Sequence, residues 1–511
     1  MRQRIDIDRV NFAVDEHIWG HRLYDEQLPH LAVLEFLGVL GSNLGRPLIE
    51  TAGEKIRYRP QHQIRLRGLL FNNPFVETIR DRLISDEEKW REWGALFAQD
   101  ATGLGDEDMG YLRNAFFNFD DFAKTVELLR SSAFEARSNK RWSSKFVFPF
   151  GPDALFEDLR VESGGVSNDR RFFARTGELL YLMLCRAARG PELGEQLSRR
   201  LFNTAAPMNR LVRALQGAPQ LAMNSRDIGF LPHASNARFD QVCEDWLAIL
   251  EKDMPIYDAL EHLIASAGLN LLLYFLEQAK AQTGDAEPVV FFCEIVSKER
   301  TKVRSLSGDS YQLNQGLSTK AVRASIEQTR LLPEWDAASS SDYPDAERAN
   351  IMRGRFQWPA PDSDDAGDYA LMSGDKLIEK LVDLALFRHD QHVGKIHAAW
   401  SRAIGLSSRR LSRRTRYAPN DRLIKTLVVA IVKDRMQFDE FLAEVHRRYG
   451  MVIGDAEGAR LVAEKKIDQE ALSENRANLE ARLVGLGLVR RLSDSCSFVE
   501  NPFGINGAEN C

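Results

Sequence analysis

Four groups of side chains in this chain are suited to chemistry, and the most heavily charged lies between residues 388 and 425. RHDQHVGKIHAAWSRAIGLSSRRLSRRTRYAPNDRLIK holds ten Lys and Arg against only Asp390 and Asp421, in a protein whose formal net charge is −6. The guanidinium groups of Arg409, Arg410, Arg413, Arg414 and Arg416, with the ring of Tyr417 beside them, can each donate paired hydrogen bonds to phosphate. Neutralising several phosphates gives binding that weakens steeply as salt is added. Arg402 upstream, and Arg490 and Arg491 near the C-terminus, belong to the same expected nucleic-acid surface. Acidic faces of a partner protein would satisfy these arginines as well, so the stretch predicts a binding surface first and DNA second.

The other three groups could serve metal chemistry. His17 and His21 stand four residues apart, the spacing that puts two imidazoles on one helix face. A zincin would need Glu directly after the first histidine, where this chain has Ile18, and Gly20 weakens such a helix. His389, Asp390, His392 and His397 supply the ligand types of a metal phosphohydrolase, in which imidazoles and a carboxylate hold an ion that activates water. No matching set of further ligands is evident elsewhere in the sequence. Glu294 and Lys298 have the residue types of a nuclease that holds metal with Glu-x-Lys on one strand, but at a Glu-x-x-x-Lys spacing and without an upstream Asp on a neighbouring strand. Lys298, Arg300, Lys302 and Arg304 alternate at period two, as on a basic strand edge. No GxxxxGK[ST], GxSxG, or GxGxxG after a strand is present, which removes the usual signatures of nucleotide hydrolysis, serine hydrolysis and dinucleotide redox chemistry.

The elements that must position these groups read as mostly helical. With 511 residues and 44% hydrophobic content the chain is globular and long enough for several cores. Within the apolar and aromatic stretch Phe12 to Gly41, Leu31, Leu34, Leu37 and Leu40 predict a buried helix after a capping turn at Pro29, and further helices are expected over Asp86 to Gln99, Phe172 to Ala188, Leu193 to Phe202, Asn209 to Leu215, Phe239 to Leu250, Tyr257 to Ala281, Thr319 to Thr329 and Lys376 to Phe387. Arg65 to Phe75 reads as a loop or short strand ending in the turn NNP, and PVVFFCEIV from Pro288 to Val296 as a strand. Trp335 to Asp368 is polar and turn-rich and reads as a linker. The apolar run Leu263 to Leu276 is 14 residues long with Asn270 inside it, short of the roughly 20 needed to span a bilayer, so a buried helix and no membrane partner are expected. The N-terminal MRQRIDIDRVNF has no apolar signal region, which points to the cytoplasm. Cys185, Cys243, Cys293, Cys496 and Cys511 are widely spaced with no CxxC pair, so neither a zinc knuckle nor a disulfide framework is indicated.

The C-terminal segment has the order of a winged helix: helices over Asp421 to Lys433, Gln437 to Tyr449 and Asn475 to Leu486, then a ribbon of Leu488 to Arg491 and Ser497 to Val499 around Ser493-Asp494-Ser495. Residues 450–473 form an insertion that a strict winged helix lacks. The expected fold is therefore mainly α, a multi-domain helical body with a C-terminal winged-helix-like domain. Its divisions are 1–165, 166–334, a linker at 335–369, and 370–511.

Two stretches, DEHIWGHRLYDEQ with the following LEFLGVLG, and LVGLGLVRRLSDSCSFVENPF, resemble a component of bacterial anti-phage gene clusters, in particular the methylation-associated defence system. That resemblance implies work in a multi-protein system beside a DNA methyltransferase and a nuclease or ATPase, and it brings no catalytic residues with it. The leading expectation is a non-catalytic subunit that binds DNA through residues 400–500 and scaffolds other defence proteins, with no cofactor. The alternatives are a metal-dependent nuclease or phosphohydrolase effector, and a protein-interaction scaffold that does not touch nucleic acid.

Overall fold

A computed structural model describes residues 7–43, 57–58, 61–62, 64–100, 109–133, 147–155, 159–162, 165–168, 175–217, 220–221, 226–227, 231, 235–296, 302–358, 371–493 and 496–504. The protein is mainly helical, and the strands among the described residues are short. It divides into two units, one of His30–Gly229 and one joining Met1–Pro29 to Phe230–Cys511. The sequence divisions at 165, 334 and 369 fall at neither boundary, because a linear reading does not reveal that the N-terminal helix packs with a segment beginning two hundred residues later.

In the His30–Gly229 unit, aromatic residues build the core. Trp90, Trp93, Phe97, Phe119 and Phe122 pack together with Leu66, Leu69 and Leu70. Trp93 donates its indole N–H to Asn73 Oδ1 at 3.0 Å, so the ring is buried with its one polar atom satisfied. Arg65 to Phe75 is not a loop or strand. Ile64–Phe71 is a helix, and the three leucines at i, i+3 and i+4 form its buried face. Only after it does the NNP turn stop the chain. Gly177 allows a close helix crossing, since a Cβ there would lie 2.5 Å from both Ala32 O and Glu35 Cβ, and its N–H donates to Glu35 at 2.8 Å.

The second unit is organised around the Ile256–Gln282 helix. This helix is long and apolar enough by composition to cross a membrane, but 89% of its most apolar window is buried within the protein, as the reading of Leu263 to Leu276 as a core helix requires. The Ala237–Leu250 helix packs against it, as do Leu317–Glu327, Ile396–Ala403 and Asp421–Ile431. Indole N–H groups pin the elements to one another: Trp19 to Phe275 O at 3.0 Å, Trp246 to Leu263 O at 3.1 Å, and Trp400 to Gln27 O at 3.1 Å. Asp245, fully buried, accepts from Asn270, Ser266, Gln241 and Tyr449. A buried carboxylate is tolerated only with such a set of donors.

The expected linker is largely folded. Pro333–Ala337 and Pro344–Phe356 are helices with Pro in the first turn, followed by Glu334 and Asp336 in one and Asp345 and Glu347 in the other. Proline and acids at these positions suit a helix start, because the missing N–H costs nothing there and the acids complement the dipole. The turn-rich composition marked helix beginnings. Residues 359–370 of that stretch lie outside the described residues, as do Lys298, Arg300, Asp494, Ser495 and Cys511. Lys302 and Arg304 are on the Lys302–Gln315 helix rather than on a strand edge.

From Pro288 to Ile295 the chain is extended, and the regular strand is confined to Phe291–Phe292, paired in parallel with Met451–Val452. Phe291 N donates to Gly450 O at 2.8 Å, Cys293 N to Val452 O and Glu294 N to Tyr417 O, both at 2.9 Å, and Ile295 N to Asn475 Oδ1 at 2.8 Å. Gly450 ends the Phe438–Tyr449 helix at φ 65°, and a side chain there would meet Val289 O at 2.2 Å, so glycine is required on both counts. The 450–473 insertion thus has a structural purpose: its strand pairs with the 288–295 segment.

The C-terminal elements run Asp421–Ile431 helix, Arg435–Gln437 strand, Phe438–Tyr449 helix, Gln469–Gly485 helix, then strands Val489–Ser493 and Cys496–Glu500. Arg435–Gln437, which the sequence reading did not mark as a strand, pairs antiparallel with Cys496–Glu500, giving a three-stranded sheet with Cys496–Glu500 in the middle.

Candidate nucleic-acid interface

The arginine stretch folds as a small hairpin. Ser407–Ser408 pairs antiparallel with Arg416–Tyr417, which places residues 409–415 in its loop. Side-chain oxygens shape that loop: Ser408 Oγ accepts from Arg410 N at 3.0 Å, Ser412 Oγ from Arg414 N at 3.1 Å, and Thr415 Oγ1 from Arg409 Nε at 2.7 Å. Leu411 sits at φ 58°, a backbone state costing about 1–3 kcal/mol that persists only where its surroundings impose it.

The structure separates the expected site residues into three sets. Arg402, Arg409, Arg410, Arg413, Arg414, Arg490 and Arg491 are exposed. Of these, Arg402, Arg409, Arg410, Arg413 and Arg490 make no ion pair among the described residues, Arg414 is held by Asp309 at 3.0 Å and Gln312 at 2.5 Å, and Arg491 by Glu480 at 2.9 Å. Arg416 and Tyr417 are a correction: both are buried, at 1% and 0% exposure, and face the core instead of a ligand. Adjacent side chains of a strand point to opposite faces, so burial of both means that both faces of this two-residue strand are covered, and the run of arginines gave no sign of it.

Arg416 Nε donates to Glu294 Oε2, and its Nη2 donates to Arg410 O at 2.8 Å. Arg304 Nε donates to the other oxygen, Glu294 Oε1, at 2.7 Å, and its Nη1 reaches Leu411 O at 3.3 Å. One fully buried carboxylate therefore joins two guanidiniums, and both grip carbonyls of the arginine loop. Tyr417 locks the other side. Its hydroxyl receives Asn314 Nδ2 at 3.0 Å and pairs with His397 Nε2 at 2.6 Å, while its carbonyl accepts from Ser307 Oγ at 2.8 Å.

Both carboxylate oxygens of Glu294 are thus occupied by guanidiniums, as in a structural clamp, and its nuclease-type partner Lys298 lies outside the described residues. Its position inside the apolar run VVFFCEIV was a signal, because a buried acid must find cations. The four residues from His389 to His397 do not converge. His389 Nε2 pairs with Ser318 Oγ at 3.0 Å, His392 Nδ1 lies 3.4 Å from Asp25, His397 is bound to Tyr417, and Asp390 is exposed. His17 Nε2 meets Arg355 O at 2.9 Å while His21 is buried. Among the described residues no cluster of three or more His, Cys, Asp or Glu could hold a metal ion.

Burial sets the titration of two of these histidines. It lowers His389 to about 4 and His397 to about 3, so both are neutral in the folded protein and take protons more readily when it unfolds. The unfolded chain then binds more protons between the folded values and 6.5, and stability falls as pH drops through that window by about 1.4 kcal/mol per unit for each histidine. Urea melts from pH 7 to 4.5 should show this loss, and His397→Asn should make the profile shallower. An unchanged slope in the variant would assign the acid sensitivity to other groups.

Beside the arginine loop lies a cleft of about 550 Å³, lined by Arg402, Arg410, Asn420, Asp421, Asn478 and Arg482 among others. The Asp421–Ile431 helix starts there, capped by Asn420 Oδ1, which accepts from Leu423 N at 2.9 Å. Arg482 is engaged with Asp421 at 2.6 Å and Pro419 O at 3.1 Å. Asn475, one helical turn before Asn478, fixes the Gln469–Gly485 helix by donating to Cys293 O at 3.0 Å and Ile453 O at 2.8 Å. Near the start of that helix Gln469, Glu470 and Glu474 are exposed, and its two arginines, Arg476 and Arg482, lie further along and are paired with Asp439 and Asp421. Neither the cleft nor Asn478 and Arg482 stood out in the sequence, because their relation to Arg410 exists only through the fold.

Compared with protein-family models, with curated proteins and with solved structures, the chain finds no match in any of the three.

Proposed function

We propose that this protein is a non-catalytic, DNA-binding and scaffolding subunit of a bacterial multi-protein anti-phage system, acting in the cytoplasm beside other defence proteins. The observation that carries the DNA-binding part is the hairpin loop held out by Glu294, on which Arg409, Arg410 and Arg413 are exposed and none forms an ion pair among the described residues. A loop built at the cost of a buried acid–arginine cluster presents free guanidiniums to an outside anion. The order of the C-terminal elements, with the Arg435–Gln437 strand beside the final hairpin, supports a winged-helix-like reading, and Arg490 is on the strand that corresponds to the wing. Because Glu470 and Glu474 face outward near the start of the Gln469–Gly485 helix, DNA contact through the arginine loop and the Arg490 hairpin is favoured over insertion of that helix into a groove. The defence-system context is the one implied by the N- and C-terminal resemblance.

Fluorescence anisotropy with a labelled 30-base-pair duplex, without metal, tests this reading. Binding should occur at low salt, and log K should fall against log salt with a slope near −0.9 for each phosphate contacted. No binding at low salt would overturn it for the isolated chain and favour a scaffold whose arginines meet acidic proteins.

A further inference from the structure

The 550 Å³ cleft beside the loop is too large for a single exposed ion pair and falls within the size range of small-ligand sites. Of the three arginines among its described lining residues, only Arg482 is used internally. Arg402 and Arg410 line it, are exposed, and have no carboxylate partner among the described residues, whereas the one acid among its described lining residues, Asp421, is already engaged by Arg482. Asn478 also lines it, and its Nδ2 is buried without a hydrogen-bond partner, a donor that native proteins rarely leave unmet. Two uncommitted guanidiniums on a nucleotide-sized cleft, with Asn478 in its wall, call for a dianionic oxygen-rich group. A phosphomonoester carries about −1.5 to −2 charges with three acceptor oxygens at neutral pH, whereas an internal phosphodiester carries only one.

We propose that this cleft binds the terminal phosphate and attached nucleotide of a nucleic-acid strand. The inference rests on the nucleic-acid reading above and adds what the surface distinguishes: a phosphorylated strand end. Arg402 and Arg410 grip the phosphate, and Asn478 donates to it or to the attached nucleoside.

Isothermal titration of the full chain with four probes tests this: a 5′-phosphorylated dinucleotide, the same dinucleotide with a 5′-hydroxyl, adenosine monophosphate and inorganic phosphate. The 5′-phosphorylated dinucleotide should bind at least tenfold tighter than its hydroxyl counterpart. Arg402→Glu and Asn478→Leu should each weaken it, while Arg91→Glu in the other unit should not. Thermal midpoints of all three variants establish that they fold, and the exposed Arg402 carries the result if Asn478→Leu does not. Equal binding of adenosine monophosphate and the phosphorylated dinucleotide would overturn the strand-end assignment in favour of a free-nucleotide site. A protein that binds the 30-base-pair duplex but shows no preference for the phosphate, or no loss in Arg402→Glu, would overturn the cleft proposal alone. Phosphate-dependent binding of the dinucleotide without duplex binding would overturn the loop reading and leave the cleft standing. Failure of both ligands would overturn both.

Discussion

Reversing three loop charges together, Arg409→Glu, Arg410→Glu and Arg413→Glu, should weaken duplex binding at least 100-fold at moderate salt and leave the fold intact. These side chains are exposed, and none forms an ion pair among the described residues. Removing them therefore breaks no internal ion pair, and losing the contact from Arg409 to Thr415 affects only an exposed position. Charge-assisted hydrogen bonds contribute about 1.5–3 kcal/mol each when well formed, so losing three, even with solvent screening, exceeds the 2.7 kcal/mol that corresponds to 100-fold. The salt slope should become shallower by about 2.7 if each arginine meets one phosphate. Arg414 is kept because Asp309 and Gln312 already occupy it. Arg416 is kept because its reversal would damage the core. The same net charge change made at Arg91, Arg113 and Arg199, exposed in the other unit, separates a local site from general attraction. Equal losses in both triple variants would remove the loop from the interface.

The second large effect is on stability. Glu294→Gln keeps the shape of the side chain but leaves Arg416, at 1% exposure, without its countercharge. Breaking a buried pair from one side costs about 3–5 kcal/mol, because the remaining charge stays desolvated. Arg304 loses its partner at the same time, though it is nearer to solvent. Urea unfolding followed by tryptophan fluorescence should show a transition moved to lower denaturant by that amount. The double variant Glu294→Gln with Arg416→Met should recover part of it, since an apolar side chain of similar length needs no countercharge. Because Arg304 and Arg416 hold carbonyls of the loop, the single variant should also weaken DNA under conditions where the protein is still folded. A Glu294→Gln protein of unchanged stability would mean that the clamp does not carry this weight. A metal-dependent reading of Glu294 predicts instead unaltered folding with loss of a metal-dependent activity.

Helical content was legible because periodicity survives without tertiary information: Asp86–Asp100, Ala237–Leu250, Ile256–Gln282 and Leu317–Glu327 all lie where their apolar spacing put them. The strand at 291–292 was visible only as part of a longer apolar run, since partners supplied by Gly450, Tyr417 and Asn475 decide which residues pair. Arg435–Gln437 was missed because three residues are too few for an alternation to stand out from the helices on either side. Its partner lies sixty residues later. The turn-rich stretch after Trp335 was misread because Pro, Ser and Asp serve both turns and helix starts, and only the following residues distinguish them.

The sequence by itself determined that a mainly helical protein would carry a concentrated cationic stretch beside its C-terminal elements, because composition and periodicity are local properties. Only the tertiary structure decided which of those cations remain available. Arg416 and Tyr417 are adjacent to exposed arginines in the chain, yet a carboxylate 122 residues away takes the first and a buried histidine and asparagine take the second. Arg402, Arg410 and Asn478 meet on one cleft although the chain separates them by up to 76 residues. Charge count is additive along a sequence, whereas the availability of a charge depends on burial and on partners, and both are set by contacts between distant segments.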